Sequence, residues 1–180
     1  MKSFGVTSVV LLTLVLANPS AGEAQVLRPN ELCSDYSGAA IATFEDADLD
    51  LEIRVALRES VGAQKDLTCG LLSGLTLLDA SRGGITSLVG IQNLTGLTIL
   101  ELDDNPWISD LSALSGLTSL TTLRLQTNPG LTDVQPLLDN PGLGAGDRIW
   151  LSATGVSCMD LGALATKGIS VRCRERGYEE

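Results

Sequence analysis

Leucine recurs along the middle of this chain at nearly constant intervals. Residues 75–84 read LTLLDASRGG, residues 97–106 read LTILELDDNP and residues 120–129 read LTTLRLQTNP. Each fits Leu-x-x-Leu-x-(Leu/Ala)-x-x-(Asn/Gly), with steps of 22 and then 23 residues. Between them the apolar positions advance by three. Cys69, Leu72, Leu75 and Leu78 form one such series. Leu88, Ile91, Leu94, Leu97 and Leu100 form the next, and Leu111, Leu114, Leu117, Leu120 and Leu123 the third. Spacing of three predicts tight 3₁₀-like turns. The pairs Leu100/Leu102 and Leu123/Leu125 alternate, which predicts a short strand with both leucines inward.

A supersecondary unit repeated at this period is the signature of a leucine-rich repeat solenoid, an α/β fold. Strands line the concave side and tight turns the convex side. One coil of this length cannot bury its leucines alone, so stacking must make the core continuous. Asn105 and Asn128 fall three residues after the second strand leucine, and each precedes a proline. They are expected to form a structural ladder, bonding backbone groups from coil to coil. Gly83 holds the same place in the first full repeat, and Thr154 in the last. The last repeat is stretched. Ile149-x-Leu151-x-x-Thr154 lies 26 residues beyond its predecessor, after a glycine-rich bulge from Asn140 to Gly146.

The two ends differ from the repeats. Residues 1–24 have a signal-peptide pattern, with Lys2, an apolar run from Val9 to Ala17, a break at Asn18-Pro19, and small residues up to a cut near Ala24. That run is shorter than the about 17 to 25 residues a membrane span needs. Residues 25–66 form an N-terminal segment with a helical cap. Phe44, Leu49, Ile53, Ala56 and Leu57 share one face, acids come early and arginines late, and Gly62 ends the helix. This helix would cover the first repeat, with the repeats running over 67–154. A C-terminal cap follows over 155–173, where Leu161, Leu164 and Ala165 make a short helix face, Gly168 stops it, and Ile169 and Val171 return as a strand-like pair. Residues 174–180 are a charged tail.

Export would make disulfides available. Four cysteines allow three pairings. Cys33–Cys69 and Cys158–Cys173 are the simplest, each closing a loop beside one solenoid end. The second would close about 15 residues, worth on the order of 3 kcal/mol. The net charge of −10 argues against nucleic acid and anionic membrane as partners. Histidine is absent, which removes the usual general base and the commonest metal ligand. No cofactor, metal site or enzymatic activity is expected. Asp79, Glu101, Asp103 and Asp104 lack the spacing of a calcium loop. Asn93-Leu94-Thr95 is a formal glycosylation acceptor.

The phrases ITSLVGIQNLTGLTIL (85–100) and ISDLSALSGLTSLTTLRLQTNP (108–129) resemble the 22-residue class of leucine-rich repeats, and within it bacterial secreted proteins related to internalins. Residues 45–57, EDADLDLEIRVAL, resemble that group's N-terminal cap. Residues 158–173 resemble a cysteine-closed cap found on many bacterial members. The resemblance covers roughly residues 43–173. It implies a right-handed solenoid binding a protein or glycan on its concave face, in a secreted, periplasmic or cell-envelope location.

Side chains between the inward leucines point out of the concave sheet. The central column is Asp79, Glu101, Arg124 and Trp150. One step earlier stand Leu77, Ile99, Thr122 and Arg148, and one step later Ser81, Asp103, Gln126 and Ser152. The candidate ligand-binding residues are Asp79, Glu101, Asp103, Thr122, Arg124, Gln126, Arg148 and Trp150. Trp150 is either a recognition anchor or a residue packed under the C-terminal cap or bulge. Trp107, in the turn after Pro106, is expected to pack locally. The expected function is a monomeric, secreted interaction module without an integral membrane segment. The alternative is an envelope or matrix component with no sharp ligand.

Overall fold

The computed structural model describes residues 24–61 and 66–171. The expected leader, apart from Ala24, lies outside these residues, as do Gly62, Cys173 and the tail. Four short strands form one parallel sheet in chain order: β1 (Leu77–Asp79), β2 (Ile99–Glu101), β3 (Thr122–Arg124) and β4 (Arg148–Trp150). The register matches the repeat alignment. Leu78, Leu100, Leu123 and Ile149 pair in sequence, as do Asp79, Glu101, Arg124 and Trp150. In each strand the middle residue is buried and its neighbours face outward. The sheet is open, and the chain is an α/β repeat solenoid.

Leucines from all four coils merge into one core running from Ala42 to Ile169. Leu102 and Leu125 complete the inward pairs and are fully buried. On the far side, 3₁₀ turns at Ile91–Asn93 and Ser112–Leu114 follow the three-residue apolar step. The first and fourth coils use short α-helical turns there instead: α2 (Cys69–Leu72) and α3 (Gln135–Asp139). Thr68 caps α2 through its side chain. Pro136 near the start of α3 suits a first helical turn, where its missing N–H is harmless. Gly96 and Gly142 let coils approach closely, since a Cβ at either would fall against a backbone carbonyl, that of Ser73 or Thr118.

Past every strand the chain turns through one non-glycine residue with positive φ: Arg82, Asp104, Thr127 and Ala153. The conformation repeats while the residue does not. Inter-coil pairing continues through these turns, with the Arg82, Asp104 and Thr127 amides donating to the carbonyls of Asp103, Gln126 and Ser152.

The N-terminal helix α1 (Ala47–Val61) buries Leu49, Ile53 and Leu57 against the first coil. It begins at Ala47, so Phe44 does not extend its apolar face. Asp46 caps it, accepting from the Asp48 and Leu49 amides at 2.9 and 3.1 Å, and Phe44 packs on the core from outside the helix. The same Asp46 carboxylate accepts from the Thr86 amide and hydroxyl and from the Ser87 amide. One buried acid thus joins helix start to repeat turn. The Cys33–Cys69 disulfide is present. It closes a 36-residue separation, worth about 4 kcal/mol in the chain-entropy account. The other expected pair includes Cys173, outside the described residues. Among the described cysteines none is free.

At the other end, α4 (Cys158–Thr166) buries Leu161 and Leu164 on the last coil. Ser157 caps its start, accepting from the Asp160 amide. The expected strand-like return is a single bridge, Arg148 with Ser170. The Ile149 amide donates to the Ser170 carbonyl and the Ser170 amide to the Asp147 carbonyl. This covers the otherwise open edge of β4. Lys167 donates to the carbonyls of Leu137, Leu138 and Asn140. Its ammonium therefore sits at the C-terminal end of α3, where a positive charge is favoured.

Candidate functional site

The ladder and the open sheet face both place one residue per coil in register. In the ladder, Asn105 Nδ2 donates to the Ala80 and Leu102 carbonyls, and its Oδ1 accepts from the Ile85 amide. Asn128 repeats this one coil on, donating to Leu102 and Leu125 and accepting from the Asn105 amide. Both are fully buried. Two further buried asparagines were not foreseen as structural. Asn140 donates to the Leu114 and Leu117 carbonyls, inside what reads as a flexible bulge. Asn93 accepts from the Cys33 amide and donates to the Glu31 carbonyl. That use buries the formal glycosylation acceptor. A signal was available: both asparagines lie among leucines stepping by three.

On the open face, the eight candidate residues come together as two columns and a partial third. Asp79, Glu101, Arg124 and Trp150 stand side by side on successive strands. Leu77, Ile99, Thr122 and Arg148 form the parallel column. The third position contributes Asp103 and Gln126.

Asp103 is bound into the fold more than its sequence position suggests. Its Oδ1 accepts from the Gln126 amide at 2.7 Å, and its Oδ2 accepts from Arg124 Nε at 2.9 Å and Gln126 Nε2 at 3.3 Å. The carboxylate bridges two coils and fixes the base of the Arg124 side chain. Glu101 adds a longer contact to Arg124 at 3.9 Å. Together they raise the Arg124 pKa above its ordinary value, the Asp103 hydrogen bond contributing most. Gln126 in turn accepts from the Ser152 hydroxyl at 2.7 Å. A rail of side chains therefore crosses β2, β3 and β4.

The Arg124 guanidinium lies over Trp150, 5.7 Å from the ring centroid, within cation–π range. Trp150 is 36% exposed, so it is open to solvent on the sheet face rather than enclosed by cap or bulge. Arg148 is exposed two residues away and forms no ion pair among the described residues. Asp79 is also exposed, its Oδ1 accepting from the Ser81 amide. Leu77 is half exposed beside it.

Trp107 departs from expectation. It is 70% exposed rather than packed locally. Its coil has one residue more than the first at this point, and the next coil has Gly130 in its place. Nearby, Arg82 reaches Asp104 across one coil at 3.3 Å. Among the described residues, no cluster of three or more His, Cys, Asp or Glu is gathered as for a metal ion. None of their helices is long and apolar enough to cross a membrane.

Solved structures similar to this chain include internalins, which are leucine-rich repeat proteins. An internalin of Listeria monocytogenes, inlF, is 33% identical, with a TM-score of 0.60, covering 71% of this chain and 36% of its own. The chain thus spans about a third of that relative's length. Internalin C2 of the same organism is 26% identical, with a TM-score of 0.45, over 71% of this chain and 65% of its own. A structure of CBM51-2 in complex with GlcNAc and INT domains of Clostridium perfringens ZmpB is 26% identical, with a TM-score of 0.40, over 51% of this chain and 20% of its own. No family model and no curated protein matches the chain.

Proposed function

Because the chain is a leucine-rich repeat protein of the internalin-like, 22-residue class, we propose that it is a secreted, non-enzymatic interaction module. It holds a protein or glycan ligand on the open face of its sheet. The observation carrying this reading is the Arg124–Trp150 pair. A tryptophan at a central strand position stays open to solvent, and its stacked arginine is fixed from below by Asp103. Aromatic and arginine side chains held rigid before binding lose little entropy on contact, and such residues dominate binding energy at interfaces. Secretion is supported by the leader pattern and by the Cys33–Cys69 disulfide. Catalysis would need an activated nucleophile beside a base, and histidine is absent from the chain.

The test is a pull-down from native secretions with wild type against the W150A/R124A double variant, followed by hydrogen-exchange footprinting of the recovered complex. Loss of one specific partner, with protection over 99–103, 122–126 and 148–152, is the expected result. Equal recovery by the double variant would remove the sheet face as the ligand site.

A further inference from the structure

Resting on that reading, we propose that the open face takes an extended peptide segment with opposite charges at its two ends. The segment places a basic side chain toward β1 and β2, an aliphatic side chain over Leu77 and Ile99, and a carboxylate at β4.

The argument starts from charge that remains after internal pairing. Asp103 and Arg124 balance each other at 2.9 Å. Asp79 forms no close ion pair among the described residues, although its charge reaches Arg124, and Glu101 has only the 3.9 Å contact with Arg124. The β1–β2 end is therefore negative. Arg148, unpaired among the described residues and exposed beside Trp150, makes the β4 end positive. In an otherwise acidic chain of net charge −10, an unpaired arginine on the candidate face sets a direction along the sheet.

Distance then limits the ligand. Neighbouring strands lie about 4.8 Å apart, and Arg148 stands two residues, about 7 Å, before the Asp79–Glu101 column along the strand, so Glu101 to Arg148 spans about 12 Å and Asp79 to Arg148 about 16 Å. An extended peptide covers about 3.3 Å per residue, so the opposite charges stand about four to five residues apart. Leu77 is 50% exposed and pairs in register with Ile99. These two form an apolar strip on the acidic side, which matches an aliphatic side chain. An acidic glycan meets Arg148 but is repelled by Asp79 and Glu101, and it has nothing to lay on Leu77. A peptide supplies all three groups at this spacing.

The experiment selects a random twelve-residue peptide display library against the immobilised full chain with disulfides intact. Asp79→Lys, Arg148→Glu and Thr122→Trp variants are run beside wild type, each checked for unchanged thermal unfolding. The expected wild-type pool carries a basic and an acidic residue about four to five apart with an aliphatic residue on the basic side. Arg148→Glu should weaken those peptides about tenfold, because reversal replaces attraction by repulsion. On reselection it should exchange the acidic preference for a basic one. Asp79→Lys should do the converse at the other end, and Thr122→Trp should block both. A pool without the charge pair, insensitive to both reversals yet lost with Thr122→Trp, overturns this inference while leaving the sheet face as the binding site. Retention by all three variants overturns both. An acidic glycan captured from a glycan array, with no peptide enriched, overturns the peptide assignment.

Discussion

The buried asparagine ladder and the open sheet face follow the same coil period under opposite rules. Asn105 and Asn128 make nearly the same hydrogen bonds one coil apart. Asp79, Glu101, Arg124 and Trp150 occupy equivalent places, yet they change from acid to base to aromatic. Inside the turn, a repeated backbone geometry presents the same unsatisfied amides and carbonyls each time, and asparagine fits them with one donor group and one acceptor. On the face, water satisfies whatever side chain is there, so the fold sets no requirement. A residue that repeats with the coil marks the scaffold. One that varies at a fixed position marks what the scaffold can present.

The sharpest way to break this comparison is to damage the ladder. Asn105→Ala leaves the Ile85 amide and the Ala80 carbonyl without this side-chain partner in a buried turn. Each unsatisfied buried group costs about 1–3 kcal/mol, so a loss on the order of 3 kcal/mol is expected in urea unfolding. Arg148→Gln should stay within about 0.5 kcal/mol of wild type. Equal losses from the two would erase the distinction between scaffold and face.

Asp46 extends the scaffold rule to the N-terminal end. Burial pushes its carboxyl pKa up, but hydrogen bonds from Thr86, Leu49 and Ser87 outweigh this and hold it below 3.8. A depressed folded-state pKa contributes stability that is present above the unfolded value, about 4, and is lost as pH falls through the folded one. Asp46→Asn should therefore be less stable than wild type at pH 7, by about 2 kcal/mol for charged hydrogen bonds. The gap should narrow progressively below about pH 4. A constant difference in melting temperature from pH 7 to pH 2 would show that the carboxylate charge contributes nothing.

The turns after each strand lie between the two rules, since their shape repeats and their residues do not. Thr127 takes φ +59° there, a region that disfavours β-branched side chains. Asparagine tolerates that region better, so Thr127→Asn should stabilise by about 1 kcal/mol. Its expected sign is opposite to that of Asn105→Ala. A decrease in unfolding midpoint would mean that the Thr127 side chain offsets its strain through contacts of its own.

The same contrast explains what was legible in the sequence. Strand register, inward leucines and the Asn105–Asn128 ladder could be read because each recurs at the coil period. Cys33–Cys69 followed from its place at one end. The links that occur once could not be read. Asp46 meets Thr86 across 40 residues, Asn93 meets Cys33 across 60, and Lys167 reaches the end of α3 across about 30. No local pattern connects such pairs. On the face, the columns were legible but their internal pairing was not. Asp103 reads as a ligand contact, and its bonds to Arg124 and Gln126 were not foreseen. Trp107 reads as a packing residue because most turn tryptophans find cover, whereas it is 70% exposed.

A small expected effect on stability is the most informative about the face. Asp103→Asn keeps an oxygen for the Gln126 amide but removes the charge beneath Arg124. Exposed ion pairs contribute about 0–1 kcal/mol; here the Arg124 side chain is 39% exposed and Asp103 only 14%, so unfolding should shift by about 1 kcal/mol, the upper end of that range. The position of Arg124 should change more, because Nε loses its anionic acceptor and Glu101 lies 1 Å farther from it than Asp103. Trp150 reports on this, since the guanidinium rests over its ring. In a Trp107→Phe background, Trp150 is the remaining tryptophan, and its fluorescence should change in intensity and in accessibility to a soluble quencher. If Asp103→Asn destabilises as much as Asn105→Ala, the Asp103–Arg124–Trp150 rail is scaffold and the varied column loses its standing as a recognition surface. If stability holds while Trp150 responds, the rail serves to position the face.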